Sequence, residues 1–374
     1  MKIGIPILVY NKTGGIERHT AELTEALSNI HEIHIFTTHW NPNDIPKNVF
    51  FHKIYAFGPN FIKIPLFTIL STISTKFYGL DLIINDGAGA TFNQDILIAE
   101  SSHLAWAKET QYERNNKLLL HPLHYWTFFI EGVNYHFHRY KKIIAISNFI
   151  KKHLIKYYNL SPLDIEVIYH GVNVQEFKRD EKIRTKIRNR LGISKKDFVL
   201  LFIGKEYERK GLIYILEAMK NIKENQIKLI IVGKDNSKRF KNLSNEINDK
   251  RIYFMGHSNN VKDYYSASDL FVFPSSFDAF GMVVTEATAA GLPVITSNTT
   301  GAGELIQKYR CGLILKNRKN SNEIKQLILK LYYHKKLYSV FSKNTKYISK
   351  LYDWKSVIHR TEILLNKVYR EKTK

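Results

Sequence analysis

The sequence predicts an α/β protein built of two doubly wound parallel-sheet domains. Short apolar runs alternate with longer amphipathic stretches over most of the 374 residues, as in β–α–β units. Several of those runs are continuously apolar, as expected of strands covered on both faces. A highly charged stretch near residues 172–195 separates two such series, each long enough for a domain. The hydrophobic fraction of 44% supplies material for sizeable cores and argues against disorder.

In the first series, Ile3–Val9, Glu32–Thr37, Leu82–Asn85, Ile96–Ala99, Ile143–Ser147 and Glu166–Tyr169 read as strands. Ile16–Ser28, Phe61–Phe77 and Asn148–Tyr158 read as helices between them. In the second, Phe198–Ile203, Lys228–Val232, Arg251–Met255, Leu270–Phe273, Val294–Thr296 and Gly312–Leu315 are strands. Gly211–Ile222, Val261–Ser266 and Met282–Ala290 are the intervening helices. The expected domains are residues 1–175 and 176–350, with a helix over 351–374. That last segment has apolar residues at Trp354, Val357, Ile358, Leu364, Leu365 and Val368, with Thr361 in the gap, a stripe close to helical spacing.

The lone Cys311 forms no internal disulfide, which fits a reducing compartment. The apolar start runs into Asn-Lys-Thr-Gly-Gly without a small-residue cleavage pattern, and reads as a buried strand rather than a leader. No stretch has the roughly 20 apolar residues of a membrane-spanning helix. The net charge of +22, from 56 basic and 34 acidic residues, favours an anionic partner: lipid, nucleic acid or acidic glycan. A surface of lysines that only keeps the chain solvated is the alternative.

Asp278-Ala-Phe-Gly-Met-Val-Val-Thr-Glu286 is the most informative stretch. A strand runs out into a loop carrying Asp278, and a helix starting near Gly281 carries Glu286. A helix N-terminus presents unpaired N–H groups and a positive dipole end to a phosphate, and carboxylates beside it can hold sugar hydroxyls. Arg209-Lys210-Gly211 likewise precedes a helix, after the first strand of the second series. There a diphosphate would meet fixed cations and helix N–H groups; a solvated basic turn is the alternative, and the Gly-x-x-x-x-Gly-Lys-Ser/Thr loop is missing. Gly14-Gly15 follows the first strand, as a close approach to a ligand or as a plain tight turn. Glu17, Arg18 and His19 occupy the first helical turn after it. His103 would lie at a strand's carboxyl end, where open parallel sheets bind ligands. His170, before Gly171, reads as a turn residue. Neither histidine has metal-ligand company in sequence, and no Asp-x-Asp occurs.

Together, Gly14-Gly15-Ile16-Glu17, Ile144–Ser147, His170–Asn173, Arg209-Lys210-Gly211, Ala267–Ser275 and Asp278–Glu286 resemble the retaining GT-B-fold glycosyltransferases of family 4, over nearly the whole chain. Within that family the likeness is to the lipopolysaccharide core glucosyltransferase I group. The resemblance implies two Rossmann-like domains facing across a cleft, with the C-terminal helix crossing back to the first. It implies transfer of a hexose from a nucleoside diphosphate sugar, taken in this reading as UDP-linked, to a glycan or lipid-linked glycan, without metal or other cofactor. Arg209 and Lys210 would bind the diphosphate, and Glu286 the ribose. Asp278 would contact the transferred sugar, aided by backbone at Phe280, Gly281, Met282 and Val283. Gly14 and Gly15 would approach the phosphates, and His103 would reach the sugar; Glu17 and His19 are acceptor-side candidates. The family usually has Glu at the position of Asp278, and the core-glucosyltransferase group tends to have Asp at that of His19.

Aromatic and basic residues mix over Trp106–Lys142, and Phe61–Phe77 is more apolar still. Both suit a lipid headgroup surface, with ordinary core-packed helices as the alternative. The expected location is the cytoplasmic face of an anionic membrane, peripherally bound, with no nucleic-acid partner. A nucleotide-sugar 2-epimerase of the same architecture and a basic nucleic-acid-binding module are competing readings; the second leaves Asp278 and Glu286 unexplained.

Overall fold

The computed structural model describes residues 1–12, 15–42, 45–87, 89–110, 122–235 and 249–374. It divides into two compact units: Met1–Gly171 with Trp354–Lys374, and Val172–Asp353.

The first unit contains β1 (Lys2–Pro6), α1 (Gly15–Leu27), β2 (Glu32–Thr37), β3 (Val49–Lys53), α2 (Asn60–Ser74), β4 (Leu82–Asp86), β5 (Ile96–Ala99), α3 (His103–Thr110), α4 (Pro122–His136), β6 (Lys142–Ala145), α5 (Asn148–Tyr158) and β7 (Ile165–Val167). Its seven strands are parallel, in the order β3-β2-β1-β4-β5-β6-β7. The central strands are buried on both faces, which is why they read as unbroken apolar runs. β3 was invisible to that criterion because it is an edge strand whose Phe50 is exposed. The first strand is shorter than its apolar run: it ends at Pro6, which has no N–H to give a ladder.

The second unit contains α6 (Val174–Phe177), α7 (Glu181–Arg190), β8 (Phe198–Ile203), α8 (Leu212–Lys220), β9 (Ile227–Val232), β10 (Ile252–Gly256), α9 (Val261–Ala267), β11 (Leu270–Phe273), α10 (Met282–Ala289), β12 (Val294–Ser297), α11 (Gly303–Lys308), β13 (Gly312–Leu315), α12 (Ser321–Tyr333) and α13 (Lys335–Leu351). Its six strands are again parallel, ordered β10-β9-β8-β11-β12-β13. All six residues of β8 are buried. A final helix, α14 (Trp354–Thr373), belongs to the first unit and packs on α1. Val357, Ile358, Thr361, Leu364, Leu365 and Val368 form its buried stripe.

The charged stretch read as a separator contains α7, and three of its charges, Asp180, Arg184 and Arg188, are structural. Asp180 caps the helix by accepting from the Lys182 and Ile183 amides. Arg184 and Arg188 turn inward onto the two oxygens of Asp269, each at 2.6 Å. Arg188 is only 3% exposed and also donates to three backbone carbonyls. Asp269 accepts the Val199 amide as well, so one carboxylate ties α7 to the first strand of its sheet. Replacing Asp269 with Ala would leave Arg188 buried without its counter-charge. A loss of about 3–5 kcal/mol is expected, read from urea unfolding of the full chain.

Candidate active site

Both sheets have a point where the strand order reverses direction, and open α/β sheets bind ligands there, beyond the strand carboxyl ends. In the second unit this point lies between β8 and β11. The loop after β8 carries Arg209 and Lys210 into α8, and the loop after β11 carries Asp278 into α10.

Lys210 Nζ and Asp278 Oδ2 form an ion pair across this point, with side chains 14% and 15% exposed. Lys210 Nζ also lies 5.0 Å from the centroid of the Phe273 ring. Burial pulls the Lys210 ammonium below its ordinary pKa, with Asp278 opposing and Arg209 reinforcing the shift. Arg209 is held separately. Its Nη1 donates to the Phe277 carbonyl at 2.6 Å, and its Nη2 and Nε reach Glu206 Oε2 at 2.6 and 3.0 Å. Its own carbonyl accepts from the Ser276 amide at 2.8 Å.

Two glycines make this packing possible. Gly211, which precedes α8, has φ of +77°, and a Cβ there would stand 2.3 Å from the Pro274 oxygen. Gly281, which precedes α10, has φ of +84°, and a Cβ would meet Thr300 Cγ2 at 2.8 Å. Neither helix has a side-chain cap at its N-terminus. Asp278 is fixed through its backbone: its amide donates to Thr299 and its carbonyl accepts from Gly301, both at 2.9 Å. Phe280 is buried; Met282 and Val283 open α10 and are half-buried. Glu286, one turn further on, is buried and accepts the Tyr265 hydroxyl at 2.7 Å. Seven predicted residues thus gather on two neighbouring loops and the start of α10: Arg209, Lys210, Asp278, Phe280, Gly281, Met282 and Val283. Glu286 lies on the helix they lead into.

In the first unit the reversal lies between β1 and β4. Gly15 begins α1 and Glu17 is half-buried in its first turn, while Gly14 lies outside the described residues. Glu17 lines a pocket of about 250 Å³ with Ile7, Leu8, Ile16, Phe67 and Asp86 among its walls. His19 points inward instead. Its Nδ1 lies 3.0 Å from both Asp86 Oδ2 and Glu100 Oε1, and its ring stacks on His170 at 4.1 Å. His170 Nε2 lies 2.7 Å from the same Glu100 oxygen, and Thr20 donates to Asp86 at 2.7 Å. His170 is therefore not merely a turn residue, as the sequence suggested; its side chain is a buried part of this network. Asp86 and Glu100 were not singled out from sequence. Their one signal is position, at or just past the carboxyl ends of β4 and β5.

Burial disfavours a charged His19, but Asp86 and Glu100 outweigh it and raise its pKa to about 10. Burial also opposes ionisation of Glu100, yet His170 and His19 hold its carboxyl below the usual range. Burial, with Glu100 nearby, pushes Asp86 up. Ligand-type atoms of His19, Glu100 and His170 lie within 4.8 Å of one another. This is company that the sequence did not reveal for His170.

His103 opens α3 just past the carboxyl end of β5, the place read from the sequence. Its Nε2 lies 2.8 Å from His124 Nδ1, and its ring stacks with Trp106 and His124. Burial and the neighbouring His124 lower its pKa to about 4. Glu131 accepts the His103 amide at 2.7 Å and so caps α3 from another helix.

Comparison with known proteins identifies two family models in sequence: Glycosyltransferase Family 4 over residues 13–176 and Glycosyl transferases group 1 over residues 183–347. The chain is 27% identical over 390 residues to an uncharacterized glycosyltransferase of Methanocaldococcus jannaschii, covering 99% of this chain and 98% of that one. It is 25% identical over 205 residues to the lipopolysaccharide glucosyltransferase WaaG of Escherichia coli, covering 53% and 54%. The chain spans about half the length of several curated relatives it matches. In structure, WaaG gives a TM-score of 0.80 at 19% identity, covering 97% of this chain and 99% of that one. Anabaena HepE in complex with UDP-glucose gives 0.75 at 18%, covering 98% and 100%. These solved structures establish the GT-B fold.

The His19 network predicts a pH dependence. The folded pKa of about 10 lies above the ordinary 6.5, so its contribution is complete below about 6.5 and is lost as pH rises through about 10. Urea midpoints should fall across that window, and His19→Gln should flatten that part of the profile.

Proposed function

We propose, for a chain that belongs to the GT-B glycosyltransferases pairing a Family 4 domain with a group 1 domain, that it transfers a hexose from a UDP-sugar to an acceptor hydroxyl. The reading includes retention of configuration and a glycan or lipid-linked glycan acceptor, as in lipopolysaccharide or surface-polysaccharide synthesis. The observation that carries it is the Lys210–Asp278 pair, set between two glycine-led helix N-termini beside a clamped Arg209. Support for the donor class comes from HepE, whose structure is of a UDP-glucose complex. Support for the acceptor class comes from WaaG, a lipopolysaccharide glucosyltransferase.

In this mechanism the donor diphosphate competes with Asp278 for Lys210. The incoming anion takes the ammonium, and Asp278 is freed to accept a hydroxyl of the transferred sugar. Arg209 grips two phosphate oxygens and the N–H groups opening α8 and α10 complete the cradle. As the bond to the anomeric carbon breaks, negative charge grows on the departing diphosphate, where these fixed groups already point. The acceptor oxygen attacks from the same face. Glu286 holds the ribose. His103 and Glu17 are assigned to the sugar and the acceptor, and His19 acts on the acceptor side through Asp86 and Glu100. The fixed cations take the part a metal would play, so no metal or other cofactor enters the scheme.

A membrane setting fits the surface of the first unit. α2 exposes Phe61, Ile62, Ile69 and Ile73, flanked by Phe57 and Phe77 at 74% and 78% exposure. α4, packed against α2, exposes Tyr125 and Phe129. Exposed apolar surface of this extent marks a contact with lipid or protein, and a lipid-linked acceptor selects lipid. The Tyr112, Arg114 and Lys117 part of the aromatic segment lies outside the described residues. Among the described residues no helix is long and apolar enough to cross a membrane. The proposed contact is peripheral, on the cytoplasmic face.

A panel of nucleotide sugars, screened by thermal shift and followed by product analysis with and without acceptor, tests the proposal. A UDP-hexose should stabilise the protein and yield a glycoside with retained configuration. Release of a 2-epimerised sugar would replace this reading with epimerase chemistry. Arg209→Ala should lower turnover about 10²–10³-fold with the unfolding temperature unchanged; near-intact turnover would remove Arg209 from the phosphate site. Chelation by EDTA should leave turnover unchanged.

A further inference from the structure

The segment around α13 is rich in lysine. From Ile324 to Tyr352 the chain carries seven lysines and neither a carboxylate nor an arginine. α13 turns Phe341, Thr345 and Ile348 inward and packs on α10, the helix that carries Glu286. Its inner side is anchored further: Tyr338 donates to the Asp269 carbonyl at 3.0 Å, and Ser342 to the Gly291 carbonyl at 2.8 Å. Opposite lie Lys336, Lys343 and Lys350, spaced by sevens, all exposed. Val340 and Tyr347, also spaced by seven, run beside them at 51% and 48% exposure, with Leu351 at the end and Lys346 on the flank. At 100° per residue the lysine row and the apolar row lie side by side along one face.

We propose that this face of α13 docks on an anionic lipid bilayer, as a contact separate from the apolar surface of α2 and α4. The inference rests on the membrane reading above and adds to it a second, electrostatic contact on the other unit. The match is one of charge and of shape. Lysine ammonium groups at a bilayer surface meet anionic headgroups while their stems and the Val340, Tyr347 and Leu351 side chains enter the acyl boundary. A nucleic acid would gain nothing from the apolar row, and the face lacks the arginines that read base edges. Because α13 backs directly onto α10, lipid contact here bears on the helix at whose N-terminus the donor site is built.

The test is co-sedimentation of the full-length chain at low salt with phosphatidylcholine vesicles, with and without phosphatidylglycerol. The wild type should bind only the phosphatidylglycerol vesicles, and raised salt should release it. The triple variant Lys336→Gln, Lys343→Gln, Lys346→Gln should bind them about a hundredfold more weakly at an unchanged unfolding temperature. A triple variant that binds like wild type overturns the α13 contact and leaves the α2–α4 surface standing. A triple variant that loses affinity for duplex DNA while keeping its affinity for vesicles also overturns it. A wild type that ignores phosphatidylglycerol vesicles defeats the membrane reading as a whole.

Discussion

The second unit is organised around one ion pair. Lys210 and Asp278 come from loops leaving β8 and β11, adjacent strands whose connections run to opposite sides of the sheet. The two chain segments would otherwise diverge, and the pair draws them together with Gly211 and Gly281 providing the clearance. Each charge needs the other: burial weakens the ammonium, and Asp278 restores part of its charge preference. Under the proposed function, this mutual neutralisation lets the pair exchange partners when an anion arrives. The serine, threonine and glycine contacts that hold Arg209 and Asp278 by their backbones suit that reading, because they keep the loops in place whichever partner the side chains take.

The first unit meets the same topological constraint with a different solution. Its reversal point, between β1 and β4, is filled by a buried network of His19, Asp86, Glu100 and His170. Four segments distant in sequence each supply one member, and the first residue of α14 reaches it too: Trp354 lies 5.6 Å from His19 and fills the space that a side chain at Gly171 would occupy. The return of the C-terminal helix to this unit is thus secured both by its apolar stripe and by contact at the heart of the network. A further tie, His31 to Glu362 at 2.7 Å, fastens the middle of α14.

Much of this was legible in the sequence, and for definite reasons. Strands buried on both faces must be apolar at every position, so β8, β9 and β11 were visible as runs. A helix docked on one side must carry a stripe, so α14 was visible down to the threonine in its gap. Glycines before helices and the cations and carboxylates beside them mark anion-binding loops, because few other residue types can occupy those positions. What the sequence could not convey was partnership. An edge strand such as β3 has no two-sided burial to announce it. The charges of α7 marked only a separator between two series, and nothing local showed that Arg184 and Arg188 pair with Asp269, over eighty residues later. Asp86, Glu100 and His170 joined His19 of α1 in a single network only when three strand ends were aligned by parallel pairing. The sequence by itself determined the fold class, the order of the buried strands and the glycine-led loops that open α8 and α10, since these follow from local composition and spacing. Tertiary structure alone decided which charges neutralise one another, because that depends on distances between segments that no local pattern encodes.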